Sequence, residues 1–212
     1  GLPSMITLYL IRHGQTVWNS SGRYQGRTDV ALSEKGIAQA EKTKERFRTV
    51  SLDGVISSPL KRAAHTAKGI AQTHGLPLET DARLKELSFG DWEGKTYDEI
   101  EKIWPGMIEA MYHDAGTMKL PHGESFADCQ KRCMEAISDI IKRGDNKTYA
   151  IVCHGAALRT IICGLIQIPL ARSWNLALSN ASISQVNIYP RDMNMLYTLN
   201  DTSHLGDLKS GS

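Results

Sequence analysis

The sequence predicts an α/β fold with three layers, α/β/α, built on a mostly parallel central sheet with an antiparallel strand at one edge. Three observations carry this prediction. Short apolar runs such as Ile6–Ile11 and Thr148–Cys153 read as strands buried on both faces. Segments with apolar residues at helical spacing alternate with such runs over most of the length, the pattern of a sheet covered by helices. Near the end, Ser182–Tyr189 and Met195–Leu199 are separated only by "PRDMN", which fits an antiparallel hairpin at the sheet edge.

In chain order, the Ile6–Ile11 strand leads into a polar, glycine-containing loop. Ser33 then caps a helix with apolar positions Ile37, Ala40, Phe47 and Val50. Val55–Ser57 is a short strand. Pro59 suits the first position of the next helix, whose stripe of Ala63, Ala67, Ile70 and Ala71 stops before Gly75. A brief strand is expected near Leu78. From Phe89 to Glu124 the pattern is irregular, with helical pieces at Tyr97–Trp104 and Met107–His113 that look like an excursion from the main layers. Ser125 caps the clearest amphipathic helix, with Phe126, Cys129, Cys133, Ala136, Ile137, Ile140 and Ile141 on one face. After the Thr148–Cys153 strand come His154 and Gly155, then an apolar helix through Leu158, Ile161, Ile162 and Leu165, repeating the grammar of the opening stretch.

A length of 212 residues fits one domain, residues 1–212, with an ordered core over 6–205 that needs no staples. Lys plus Arg number 25 against 23 Asp plus Glu, so the net charge is only +2 and no basic excess points to nucleic acid. No apolar run approaches the roughly 20 residues that span a bilayer, and no signal-peptide pattern opens the chain. A cytoplasmic protein with no membrane partner is the expectation. Residues 1–4 precede Met5 and read as an addition ahead of the natural start, and "KSGS" reads as a loose tail. Cys129, Cys133, Cys153 and Cys163 form no CxxC pair and are expected to be reduced core residues. No cluster of ligands has the spacing of a metal site, so no metal is expected.

The chemistry collects where strands end. Ligands of open α/β sheets bind beyond the carboxyl ends of the strands, and His13 and His154 each follow a buried strand at that end. Arg62 falls in the first turn of the helix leaving Val55–Ser57, where free N–H groups and the helix dipole already favour an anion. Arg12, His13, Arg62 and His154 would together form a positive pocket, and such groups repel one another unless an anion sits among them. Phosphate fits, because each arginine can present a planar fork to its oxygens. Gly14 and Gly155, without Cβ atoms, allow a close backbone approach. Singly, a His-Gly pair is an ordinary turn and Arg62 an ordinary solvated helix residue; the combination is what points to phosphate.

Four separated segments, "RHGQT" (12–16), "SPLKRAAHTA" (58–67), "ELSFGDWEG" (86–94) and "CHGAALR" (153–159), resemble the histidine phosphatase superfamily in the right order over residues 6–205. The resemblance implies a phosphoglycerate mutase-like fold. It implies His13 as the nucleophile that takes a phosphoryl group, with Arg12, Arg62, His154 and Asn19 around its oxygens. Glu86 matches the carboxylate that serves as general acid and then general base, and its place is expected at the outer edge of the site. No cofactor is implied. Gln25 and Gly26 match a substrate-facing loop, against the reading of an ordinary surface loop. Thr16 either adds a hydroxyl to the pocket or caps a local turn.

The segment 94–124 would roof the substrate. Trp92, Trp104 and Met111 either line the mouth or form that segment's own core. His65, His74 and His113 read as surface or packing residues, whereas His122 and His204 lie on segments able to fold over the pocket. The "ELSFGDWEG" form resembles the phosphatase branch, with α-ribazole phosphatase and broad-specificity phosphatases as models. The implied partners are a small phosphorylated metabolite and inorganic phosphate as product. The alternatives are a cofactor-dependent phosphoglycerate mutase and an inactive phosphate-binding module. The late hairpin leaves an edge that could pair across a two-fold axis, so a homodimer is expected.

Overall fold

The computed structural model describes residues 4–211. The strands are β1 (Ile6–Arg12), β2 (Gly54–Ser57), β3 (Leu78–Thr80), β4 (Thr148–Cys153), β5 (Ile183–Ile188) and β6 (Met195–Asp201). They form one sheet in the order β3-β2-β4-β1-β5-β6. β1, β2, β3 and β4 pair in parallel, and the β5–β6 hairpin joins antiparallel on the far side of β1.

The alternation of side chains along each strand divides the core in two. Leu8, Leu10, Ile56, Ile151 and Cys153 point to one face, and Ile11, Val55, Ala150 and Val152 to the other. Helices α2 (Glu34–Phe47) and α3 (Lys61–Thr73) cover the second face, with Phe47, Ala63, Ala67 and Ile70 packed on it. Helices α6 (Phe126–Ile141) and α7 (Gly155–Ile166) cover the first. The chain also forms the short α1 (Val17–Ser20), α4 (Tyr97–Ile103) and α5 (Met107–His113), the last two packed on each other.

Ser33 and Ser125 cap α2 and α6, each accepting a backbone N–H of the first turn. Three local expectations change. Pro59 does not open α3: Leu60 is its extended cap residue, because the Ser58 hydroxyl first turns the chain by accepting the Leu60 N–H. Ile37 is 44% exposed, since α2 turns Gly36, Gln39, Ala40, Thr43 and Phe47 inward. The tail is tied rather than loose. Gln39 Nε2 donates to Leu208 O (2.7 Å) and Ser210 Oγ (2.9 Å), and Ser210 Oγ donates to Asn180. Of the residues read as preceding the natural start, 1–3 lie outside the described residues, as does Ser212 of the tail.

Candidate active site

β1 and β4 are adjacent and parallel, with Arg12 opposite Cys153, so the residue after each strand emerges at the same end of the sheet. That register brings the His13 and His154 rings to 5.2 Å between centroids. His13 Nδ1 lies 2.6 Å from the Gly14 carbonyl. A carbonyl can only accept, so Nδ1 carries the hydrogen and Nε2 keeps its lone pair. Burial, and then the charges of Arg62 and Arg12, hold His13 well below the usual histidine range. Burial with Arg62, His13 and Arg12 does the same to His154, whose Nε2 meets Ser58 Oγ at 2.7 Å.

Arg12 closes β1 and donates from Nη1 to Leu178 O (2.7 Å). Burial and the neighbouring Arg159 lower its guanidinium to about 10. Arg62 lies in the first turn of α3, with Nη1 donating to Thr28 O (2.7 Å) and Nη2 to Gly26 O (2.6 Å). Each fork is therefore partly committed to backbone, a share of the work not anticipated from sequence. Arg12 Nε, Arg62 Nε and His154 Nδ1 are buried and have no hydrogen-bond partner. Unpartnered buried nitrogens are uncommon in folded proteins, and these three belong to residues on or directly beside the His13 site.

Glu86 does not stand at the outer edge. Its carboxylate sits on the first turn of α7, accepting from Ala156 N (3.1 Å), Ala157 N (2.9 Å) and its neighbour Leu87 N (2.8 Å). The unpaired N–H groups and positive end of that helix attract the carboxylate there. It still faces the site: Arg12, His13, Asn19, Gln25, Arg62, Glu86 and Gly155 all line one cavity of about 260 Å³. His154 is fully buried and is not on the cavity wall.

Asn19 Oδ1 accepts from Thr16 N (3.0 Å) and Asn180 Nδ2 (3.3 Å), which leaves its amide nitrogen for the cavity. Thr16 is the cap of α1, and its hydroxyl lies against Asn19 and Gln25 Oε1 (2.6 Å), away from the cavity wall. Gly26 is likewise off the wall and serves through its carbonyl on Arg62. Gly14 approaches α2 rather than the pocket: a Cβ there would meet Gly36 O at 2.6 Å. At Gly155 a Cβ would crowd the Arg12 and Arg159 guanidiniums, at 3.3 Å and 3.2 Å.

The rest of the wall escaped sequence reasoning. Arg23, Tyr24, Phe89, Tyr97, Tyr112, Arg159 and Trp174 also line the cavity. Arg159 stacks on Trp174 at 4.5 Å and donates to Leu176 O and Gly155 O. Its position one helical turn after Gly155 was the available signal. Trp92 and Met111 are core residues, while His122 pairs with Asp91 on the surface and His204 meets Thr43 behind α2. Among the described residues no group of three or more His, Cys, Asp or Glu side chains could hold a metal ion, and no helix is long and apolar enough to cross a membrane. All four cysteines are free and buried.

Comparison with known proteins covers nearly the whole chain. Phosphoserine phosphatase 1 of Hydrogenobacter thermophilus is 33% identical over 203 residues, 96% of either chain. A protein of Erwinia tasmaniensis named "Probable phosphoglycerate mutase GpmB" is 33% identical over 207 residues, again 96% of each. The structure of a mycobacterial glucosyl-3-phosphoglycerate phosphatase superposes with a TM-score of 0.87 at 29% identity, covering 93% of this chain and all (100%) of that one. The family model described as "Histidine phosphatase superfamily (branch 1)" matches residues 8–202, and the chain belongs to that superfamily.

Proposed function

We propose that the chain is a phosphatase that hydrolyses small phosphate monoesters through a phosphohistidine on His13, with Glu86 as general acid and then general base. The observation that carries this reading is a buried, neutral His13 with a free Nε2 lone pair, sharing its cavity with Arg12 and Arg62 and lying beside His154, each of which has an unpartnered buried nitrogen. His13 Nε2 attacks phosphorus in line while the bond to the leaving oxygen breaks. Arg12, Arg62 and the Asn19 amide take the charge that develops on the other oxygens. Protonated Glu86 gives its proton to the departing alkoxide. The resulting carboxylate then takes a proton from water as that water attacks the phosphohistidine, returning neutral His13 and inorganic phosphate.

Arginine charge supplies what a metal ion supplies elsewhere, so activity is expected to survive chelators. Phosphoserine and phosphoglycerate are the first substrates to assay, since relatives named for them match along nearly the whole chain. α-Ribazole 5'-phosphate follows, on the form of the "ELSFGDWEG" segment.

The test is hydrolysis of p-nitrophenyl phosphate by the parent and by His13→Ala, with acid-quenched mass spectrometry of the parent for phosphate on His13. Loss of activity with retained circular dichroism supports the covalent route. Hydrolysis by the variant at the parental rate overturns it. The mutase reading, favoured by the Erwinia relative, requires phosphoryl transfer between positions of phosphoglycerate to outrun release of inorganic phosphate.

A further inference from the structure

Arg62 is held by a loop, and the loop is held by one carboxylate. Glu93 Oε1 accepts from Thr28 N (3.0 Å) and Thr28 Oγ1 (2.6 Å), and Oε2 accepts from Arg27 N (3.3 Å) and Phe89 N (3.0 Å). Its four donors come from two separate segments. One, Gly26–Thr28, supplies both carbonyls that grip Arg62. The other runs back from Phe89 to Glu86. Gly26, at φ +58°, lets the carboxylate in: a Cβ there would stand 2.3 Å from Glu93 Oε2. Glu93 itself does not line the cavity.

We propose that Glu93 is a positioning residue that fixes the direction of Arg62, and so the phosphate affinity of the site, by clamping the 26–28 carbonyls to the loop bearing Glu86. A carboxylate suits the task because all four partners are donors, so each oxygen must only accept. An amide in its place would turn an NH2 either toward Thr28 N and Oγ1 or toward Arg27 N and Phe89 N, leaving a backbone N–H facing a donor. The carbonyls of Gly26 and Thr28 would then lose their fixed spacing, and the planar fork of Arg62 would lose its aim. This gives the final Glu of "FGDWEG" a reason that its own position, half-buried and off the cavity wall, does not reveal.

The inference rests on the reading of Arg62 as a phosphate ligand, and a double-mutant cycle separates the two. Binding of orthovanadate to the full chain is measured by competition against p-nitrophenyl phosphate and by calorimetry, for the parent, Glu93→Gln, Arg62→Lys and the double variant. Glu93→Gln is expected to weaken vanadate binding about tenfold, the scale of one charge-assisted hydrogen bond. In the Arg62→Lys background, where a single ammonium replaces the planar two-nitrogen fork that the carbonyls aim, the same change should cost less than about twofold. Equal losses in both backgrounds, or none in the parent, overturn the inference while leaving the phosphate pocket standing. Unchanged binding in Arg62→Lys overturns the phosphate-pocket reading and this inference with it. Should Glu93→Gln fail to fold, Glu93→Asp, which keeps the charge but cannot reach both segments, runs through the same cycle with the same outcomes.

Discussion

His13 and His154 stay neutral because burial and two guanidiniums oppose a proton on either ring. That has a consequence for stability. Folding depresses both groups below the ordinary value of 6.5, so as pH falls through that value the unfolded chain takes up protons that the folded protein refuses. Their contribution is complete above about pH 6.5 and is lost as pH falls below it, with a slope approaching about 1.4 kcal/mol per pH unit for each ring. Urea denaturation from about pH 8 to 5 in phosphate-free buffer measures the slope. His154→Gln should remove one ring's share, and an unchanged slope would mean that His154 is not held neutral in the folded protein. Arg62 makes a second prediction at this scale. Lysine has the charge but not the fork, so Arg62→Lys should lower kcat/KM for p-nitrophenyl phosphate about ten- to a hundredfold, as for one lost charge-assisted contact. Parental kinetics in this variant would remove Arg62 from the phosphate site.

The elements that aim these residues meet at close range. A Cβ on Gly36, in the first turn of α2, would stand 1.9 Å from Gln15 O, on the loop that leaves His13. Gly36→Ala should therefore destabilise by about 1–3 kcal/mol or more and reduce turnover, since relief of the clash must displace that loop. Gly69, inside α3, is the control: the nearest atoms to a Cβ there belong to the flexible Lys44 side chain, at 3.1 Å or more, so Gly69→Ala should gain roughly 0.5–1 kcal/mol from helix propensity. Chemical denaturation of the two variants reads the contrast, and equal effects would deny the contact. The same difference between local and long-range causes explains what was legible. Ser33 and Ser125 were readable as caps because the capping bond joins residues three apart. Thr16 also caps, but α1 has four residues, too few to show a period, so its role stayed open between cap and ligand. Trp174 reaches the cavity only because the segment after α7 folds back beside it, and nothing in its local spacing announces that, whereas Arg159 follows Gly155 by one turn of α7 and carried that much of a signal. Glu86 was readable as an acid of the site, but its seat on the α7 N-terminus depends on a packing of two distant segments.

Across the whole molecule, sheet order decides where charge accumulates. The chain passes from β1 to β2 and β3 and returns to insert β4 between β1 and β2, placing two strand ends, and the helix that follows β2, around one crevice. Arg12, Arg62 and Arg159 are all buried there, and Glu86 is the one carboxylate on the cavity wall among the described residues. The fold thus holds an excess of buried positive charge that an oxyanion relieves, so such an anion should bind the folded chain and not the unfolded one. Orthovanadate at about a hundred times its Kd should add about 2.7 kcal/mol of stability, a rise in Tm of roughly 5–10 °C for a chain of this size. The sign and size of this shift do not need the chemical step. His13→Ala should retain a large part of it while losing turnover, because the guanidiniums remain, whereas Arg62→Lys should lose much of it. Differential scanning fluorimetry of the three proteins with and without vanadate decides the point. A shift that vanished in His13→Ala yet persisted in Arg62→Lys would place the anion on the nucleophile alone and deny the arginines their share of the site.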